Sequence, residues 1–166
     1  MRLYLVRHAI AVPRDAPGVL DDRLRELTPA GMAKTRRIVR ALARLRLAVD
    51  EIWSSPLVRA RQTADLLAEG FPRAASVRVV RALEPGGDFD ELLRAMARHA
   101  QLDGVALVGH EPDLGELVGT LLVGRRQGVV EFKKGGVACV EVDSFVPPCR
   151  GTLLWMLTPR QARLMS

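Results

Sequence analysis

Two histidines and two arginines lie at points of the chain where a ligand site could form. Arg7 and His8 end the first apolar segment, Arg59 follows shortly after the second, and His110 ends a third that begins at residue 104. In an open α/β sheet, ligands bind outside the carboxyl ends of the strands, so residues at these ends are the first candidates for chemistry. Arginine holds phosphate oxygens through a planar fork, and histidine can act as a nucleophile near neutral pH. Together the four side chains suit an anionic ligand.

A single histidine is more often structural than catalytic, and the alternative for each of these two is a buried ring with satisfied hydrogen bonds. The remaining histidine, His99, illustrates that alternative, because it lies in a helical segment beside Arg94 and Arg98. We assign it no role. What favours a function for His8 and His110 is that each ends a strand where an arginine can join it.

Segments with strand character alternate with segments of helical periodicity, which predicts an α/β layer fold. Strands are expected from short apolar or alternating runs at residues 3–6, 51–54, 77–83, 104–110, 136–143 and 151–157. Helices are expected at residues 29–45, 60–67, 89–100 and 113–124, the first with Thr28 as its N-cap and Pro29 in its first turn. The last two strands follow each other without a helix. We therefore expect three layers: a mostly parallel central sheet, helices on both faces and an antiparallel C-terminal edge.

The composition is typical of a globular chain of ordinary domain size, with 166 residues, 48% of them hydrophobic and 27% charged. We expect a single domain over residues 1–166 and a monomer. No apolar run approaches the roughly 20 residues that span a bilayer, and no signal peptide is evident, so we expect a cytoplasmic protein without a membrane partner. Cys139 and Cys149 are too far apart for a CxxC motif and have no histidine nearby, which favours two buried or semi-exposed thiols over a zinc or thioredoxin-like site.

The net charge of +6, with 22 arginines among 25 basic residues, indicates an anionic partner. Nucleic acid, a phosphorylated substrate and an acidic protein surface are all compatible with the charge alone. The seven aromatic side chains available to stack on bases are few and scattered, which disfavours nucleic acid. A dinucleotide oxidoreductase is also disfavoured, because no GxGxxG motif follows the first strand.

Two pairs of neighbouring charges, Arg125 with Arg126 and Lys133 with Lys134, lie near the ends of later elements. They could line the rim of the pocket or receive an acidic partner protein. The alternative is that they form ordinary solvated surface.

Three motifs resemble those of the histidine phosphatase superfamily, also called the phosphoglycerate mutase-like superfamily. They are the arginine-histidine motif at residues 5–9, a longer motif at residues 54–64 and a glycine-histidine at residues 108–110. The short length and the segments at residues 27–31, 86–88 and 155–159 are similar to the SixA-type phosphohistidine phosphatase branch. The resemblance covers nearly the whole chain, from Arg7 to about Pro159, and implies a phosphoglycerate mutase-like fold.

The resemblance also implies roles for the four residues. His8 would be the nucleophile that accepts the phosphoryl group, and Arg7, Arg59 and His110 would complete the phosphate pocket, with no cofactor and no metal. The second ring nitrogen of His8 should then donate to an acceptor, most simply a backbone carbonyl. His110, if protonated beside the phosphate, would be a donor whose pKa the bound dianion raises.

Relatives that cleave alcohol phosphates use an acidic residue to protonate the leaving oxygen, and Glu84, in the turn after the third strand, is the candidate. Its spacing differs from that of the mutases, and the alternative is a solvated turn carboxylate. Without a well-placed acid, a site would favour phosphoramidates over esters, because imidazole leaves more readily than an alkoxide. The mutase branch of the family has glycine after the first histidine and a longer insertion over the pocket, whereas this chain has Ala9 and a short segment at residues 12–18. The comparison implies an open pocket, suited to a phosphorylated side chain on another protein.

The expected function is a phosphatase that works through a phosphohistidine enzyme intermediate on protein phosphohistidine, such as a histidine-phosphotransfer domain of a phosphorelay. Two alternatives stay open. One is a broad-specificity phosphatase for small phosphate esters, and the other is a phosphate-binding regulatory module without turnover.

Overall fold

Six strands form one twisted sheet in the computed structural model of the protein, which describes residues 1–74 and 76–165. The strands are β1 (Arg2–Arg7), β2 (Glu51–Ser54), β3 (Val77–Val79), β4 (Gly104–Gly109), β5 (Val137–Ser144) and β6 (Arg150–Leu157). The helices are α1 (Pro29–Arg44), α2 (Val58–Ala68), α3 (Phe89–Ala97), α4 (Asp113–Val123) and α5 (Pro159–Met165). Short 3-10 turns lie at Asp22–Leu24, Pro72–Ala74 and Arg81–Leu83.

The strand order is β3-β2-β4-β1-β5-β6. The first four strands in this order are parallel, whereas β5 runs antiparallel to β1 and β6 antiparallel to β5. Arg7 is opposite Gly109 across the β1–β4 pair, and Ser54 is opposite Val108 across the β2–β4 pair. The expected mixed sheet with an antiparallel C-terminal edge is confirmed, and its register brings the ends of three strands to the same edge.

Alternating side chains of the central strands face two separate cores, because successive residues of a strand point to opposite faces. In β1, Leu3 and Leu5 pack with buried residues of α3 and α4, while Tyr4 and Val6 pack with buried residues of α1, α2 and α5. Each fully buried leucine contributes about 2 kcal/mol relative to an exposed one. Helices therefore cover both faces of the sheet and hold its strand ends rigidly.

The first helix begins as its sequence predicts. The Thr28 side chain accepts a hydrogen bond from the Gly31 N–H at 3.0 Å, and Pro29 occupies the first turn, where its missing N–H costs nothing. Gly31 has a second role, since a Cβ there would lie 2.2 Å from the Ile10 carbonyl oxygen. The lack of a side chain lets α1 approach the segment that follows His8.

Two elements differ from expectation. The alternating segment at residues 77–83 forms a strand only over Val77–Val79 and then turns through Arg81–Leu83, because β3 is an edge strand that pairs with β2 alone. Helix α5 was not predicted, since it buries only Ala162 among the described residues and so has almost no apolar periodicity. Its start at Thr158 and Pro159 nevertheless has the same capping signature as α1.

The thiols of Cys139 and Cys149 are free and buried, as expected. Across the described ranges, no helix combines the length and the apolarity that a bilayer crossing requires.

Candidate active site

The strand ends open onto a cavity of about 500 Å³ that contains all four residues expected at a phosphate site, Arg7, His8, Arg59 and His110. His8 directly follows β1, His110 directly follows β4, and Arg59 lies in the first turn of α2. The rings of His8 and His110 are 5.0 Å apart between centroids. Three further cations line the same cavity: Arg14, Arg25 and Lys134. We call this space the catalytic cavity.

His8 is fixed in one ring orientation. Its Nδ1 lies 2.8 Å from the backbone carbonyl oxygen of Ala9, and a carbonyl can only accept, so Nδ1 carries the proton. The expected hydrogen bond to a backbone carbonyl is therefore confirmed. In the neutral ring this leaves Nε2 with a free lone pair.

The ionisation of His8 also favours the neutral ring. Burial lowers its pKa, and the charges of Arg59, Arg7 and Lys134 lower it further, to about 4, although the Ala9 carbonyl acts in the opposite direction. At neutral pH the imidazole is therefore unprotonated. A neutral histidine with a fixed tautomer is the form that can attack phosphorus.

His110 is held by Ser55. Its Nε2 lies 2.9 Å from Ser55 Oγ, and the Leu57 N–H donates to the same oxygen, which favours donation of the hydroxyl proton to Nε2. The proton of the ring is then on Nδ1, available to a ligand. Burial, together with the neighbouring His8 and Arg59, lowers the pKa of His110 to about 3. In the free site His110 is thus a neutral donor, and only a bound anion would favour its protonation.

Arg7 is anchored through a backbone peptide that precedes β5. Its Nη1 donates to the carbonyl oxygen of Phe132, and the N–H of Phe132 donates to Glu111 Oε1 at 3.0 Å. Burial raises the pKa of Glu111 above its usual value, although hydrogen bonding from backbone N–H groups and the charge of Arg7 act in the opposite direction. Glu111 thus holds the backbone of Phe132, whose carbonyl oxygen accepts from Arg7.

Arg59 is anchored by a charged group instead. Its Nη1 donates to the backbone carbonyl of Asp22 at 2.7 Å, and its Nη2 to the Asp22 carboxylate at 3.1 Å. Arg14 and Arg25 contact the other carboxylate oxygen at 2.8 and 2.9 Å. Partial burial of Asp22 acts to raise its pKa, but the three arginines bring it below its usual value. Asp22 is therefore an ionised counter-ion shared by three guanidinium groups.

Donors outnumber acceptors around the two histidines. Four buried polar side-chain atoms have no hydrogen-bond partner within the described residues, and three of them are Arg7 Nε, Arg59 Nε and His110 Nδ1. Buried polar groups in proteins are nearly always satisfied, so an unsatisfied group requires an explanation. Three unsatisfied nitrogens on residues that surround one cavity are the arrangement expected for an anion site.

Glu84 does not lie with the other four expected site residues. Its carboxylate pairs with Arg23 at 3.0 Å, and Glu84 is not among the residues that line the catalytic cavity, although its neighbour Pro85 is. Within the described part of the chain, the acidic residue that does line the cavity is Glu111.

The two pairs of neighbouring charges lie in different places. Lys134 lines the catalytic cavity and Lys133 lines a neighbouring one. Arg126 instead pairs with Glu116 at 2.7 Å and stacks over the Phe89 ring. Arg125 is exposed.

Sequence reasoning missed Asp22, Arg25 and Glu111. Glu111 had a usable signal, because it directly follows His110 at a strand end. Asp22 and Arg25 had none, since they lie in a connection without periodicity and reach the site only through the folded loop. Over the residues that the structure describes, no group of three or more histidine, cysteine or acidic side chains is arranged to hold a metal ion.

The architecture and the site define an α/β protein with a basic, histidine-containing anion pocket at the strand ends. The sequence-family model for branch 1 of the histidine phosphatase superfamily matches residues 3–100 of the chain. The chain therefore belongs to this superfamily.

Individual relatives show which members of the superfamily the chain resembles. An uncharacterized protein of Picosynechococcus sp. is 36% identical over 139 residues, 82% of each chain. The phosphohistidine phosphatase SixA of Escherichia coli is 27% identical over 162 residues, 96% of this chain and 94% of the relative. The structure of the protein histidine phosphatase SixA complexed with tungstate superposes with a TM-score of 0.82 at 26% identity, over 96% of this chain and 98% of that one. The expected phosphoglycerate mutase-like architecture is confirmed by this match.

Proposed function

We propose that this protein is a phosphatase that hydrolyses protein phosphohistidine through a phosphohistidine intermediate on His8, without a metal ion. The observation that supports this most directly is the set of three unsatisfied buried nitrogens on Arg7, Arg59 and His110 around a neutral His8. Phosphoryl transfer needs an in-line nucleophile and positive or donor groups around the equatorial oxygens, which these residues can supply.

The reaction has two steps. The lone pair of His8 Nε2 attacks phosphorus, and the bond from phosphorus to the substrate nitrogen breaks, with its electron pair remaining on the leaving imidazole, which takes up a proton. Water then attacks the phosphorus of the intermediate. The bond from phosphorus to Nε2 breaks, its electron pair returns to His8, and inorganic phosphate leaves with the oxygen of the water.

The acidic side chains of the site support a phosphoramidate substrate. Glu111 lines the cavity, but its Oε1 is committed to accepting from the Phe132 N–H. Glu84 would have to leave its ion pair with Arg23 before it could protonate a leaving group, and its role as an acid stays a prediction. An imidazole leaving group needs less proton donation than an alkoxide.

The relatives support the same substrate class, because the Escherichia coli relative is named a phosphohistidine phosphatase and the matched structure a protein histidine phosphatase. A histidine-phosphotransfer domain in a signalling phosphorelay is the physiological partner that we propose. The cytoplasmic location and monomeric state expected from the sequence belong to the same proposal.

The test compares substrates and traps the intermediate. Wild type and His8→Ala are incubated with a phosphorus-32-labelled histidine-phosphotransfer domain, with free phosphohistidine and with aryl and alkyl phosphate esters, each with and without EDTA. We expect an acid-labile phosphoenzyme in wild type only, retention of activity in EDTA, and a kcat/KM for phosphohistidine above that for the esters. A higher kcat/KM for alkyl esters would instead support the small-ester phosphatase, and binding without turnover would support the regulatory module.

A further inference from the structure

A second cavity adjoins the catalytic cavity and has a different character. Its volume is about 410 Å³, and it shares Ile10 and Lys134 with the catalytic cavity. All three lysines of the chain line it, Lys34, Lys133 and Lys134, together with Arg160. We call it the lysine groove.

Three separate elements form the groove. One face of α1 supplies Lys34 and Ile38, the segment before β5 supplies Lys133 and Lys134, and the first turn of α5 supplies Arg160. Ile10, two residues after His8, forms part of the surface between the groove and the catalytic cavity. A ligand chain that leaves the catalytic cavity past Ile10 and Lys134 therefore enters the groove directly.

The charge of the groove has one sign. Four cations line it, and none of its lining residues within the described ranges is acidic. Lys133 has an exposed ion pair with Glu131 at 3.0 Å, which contributes little in solvent. No ion pair within the described residues occupies Lys34, Lys134 or Arg160.

The dominance of lysine fits a transient contact. Of the 25 basic residues 22 are arginines, yet three of the four cations here are lysines. Lysine is a compact, strongly hydrated charge that meets a carboxylate without fixed fork geometry, so its pairs form and break with little reorganisation. A partner that must leave after dephosphorylation needs contacts of that kind.

We propose that the lysine groove binds an acidic segment of the protein that carries the phosphorylated histidine, and thereby selects protein substrates over small ones. The inference rests on the proposed function and extends it from the reacting group to its carrier. The occupant is a segment with several carboxylates, because cations on three elements offer more contacts than one small anion can use. The half-buried side chain of Ile10 would receive an aliphatic side chain of that segment.

The decisive variant reverses charge in the groove and leaves the catalytic cavity intact. Lys34→Glu with Arg160→Glu changes two residues that line the groove and do not line the catalytic cavity, whereas Lys134 is kept because it lines both. The matched control, Arg40→Glu with Arg98→Glu, makes the same change of net charge at exposed residues elsewhere, on α1 and beyond the end of α3.

We expect the groove variant to lower kcat/KM for a phosphorylated histidine-phosphotransfer domain at least about tenfold, mainly through KM, as charge reversal in a docking surface commonly does. Its kcat/KM for free phosphohistidine should change less than about twofold, since neither changed residue lines the catalytic cavity. The control should change neither value by more than about threefold, and raising the ionic strength should shrink the difference between wild type and the groove variant.

A binding measurement separates docking from turnover. In a His8→Ala background, the groove variant should bind the phosphorylated domain at least about tenfold more weakly than His8→Ala alone. Equal losses for the domain and for free phosphohistidine, equal losses in the groove and control variants, or unchanged binding would each overturn the inference. If wild type hydrolyses no phosphoramidate but the groove variant still weakens binding, the proposed function fails and the docking surface stands.

Discussion

The two arginines of the catalytic cavity are held in chemically different ways. Arg7 donates to the uncharged carbonyl of Phe132, whereas Arg59 directs both terminal nitrogens to Asp22. Arg7 therefore keeps its full positive charge for a ligand, while Arg59 shares its charge with a carboxylate that also binds Arg14 and Arg25. Arg59 is only 2% exposed, and a charge so deeply buried needs a counter-ion. Burial, more than catalysis, explains why Asp22 lies this close to the catalytic cavity.

Replacing Arg7 or Arg59 by alanine should have the largest effect on kcat/KM. The sizes of the two losses should show which arginine contributes more. We expect Arg7→Ala and Arg59→Ala each to lower kcat/KM by roughly 100- to 1,000-fold, as loss of a preorganised donor commonly does. Arg7→Ala should lie near the upper end, because Asp22 does not compete for that guanidinium. Steady-state kinetics on free phosphohistidine measure this, with circular dichroism to verify folding. A greater loss in Arg59→Ala would reverse the ranking.

The anchor of Arg7 can be tested at Glu111. Glu111→Ala leaves the Phe132 N–H without its acceptor and should lower kcat/KM about tenfold, the equivalent of one lost hydrogen bond to a charged group. The loss should appear in KM, because the peptide positions a binding group and not the nucleophile. Glu111→Gln keeps an oxygen that accepts from Phe132 and should restore most of the activity. Failure of glutamine to restore it would show that the carboxylate charge matters instead.

A change at Asp22, which anchors Arg59, should strengthen phosphate binding, the opposite of the effect expected at Glu111. Asp22→Asn removes a negative charge next to three arginines but keeps the backbone carbonyl that accepts from Arg59 Nη1. We expect the inhibition constant of inorganic phosphate to fall about three- to fivefold, because the potential of the cavity becomes more positive. Inhibition titrations at low ionic strength measure this change. Weaker phosphate inhibition would mean that Asp22 serves mainly to orient Arg59.

The smallest effect concerns the ionisation of His8. Both arginines disfavour the imidazolium form and lower the pKa of His8, so removing either should raise it from about 4 towards the usual value. We expect a rise of a few tenths of a pH unit up to about one, with Arg59→Ala giving the larger change. An NMR titration from pH 8 down to pH 3 follows the ring as it gains its proton. An unchanged midpoint in both variants would show that burial alone sets it.

Much of the fold follows from local patterns. The Thr28–Pro29 start of α1 and the strands Glu51–Ser54 and Gly104–Gly109 lie within a residue of expectation, because a cap, a turn or a fully apolar run marks their ends. The edge strand β3 and helix α5 were less predictable. Each buries few side chains, and weak burial leaves weak periodicity in the sequence.

The sequence by itself determined the residues that converge, because His8, His110 and Arg59 follow strands whose parallel pairing obliges their ends to meet at one edge. Only the tertiary structure decided how those residues are held and charged. Asp22 reaches Arg59 across 37 positions of chain, and Phe132 reaches Arg7 across 125. Long-range contacts of this kind leave no local pattern, and they set the tautomers, the counter-ions and the lowered pKa values on which the chemistry depends.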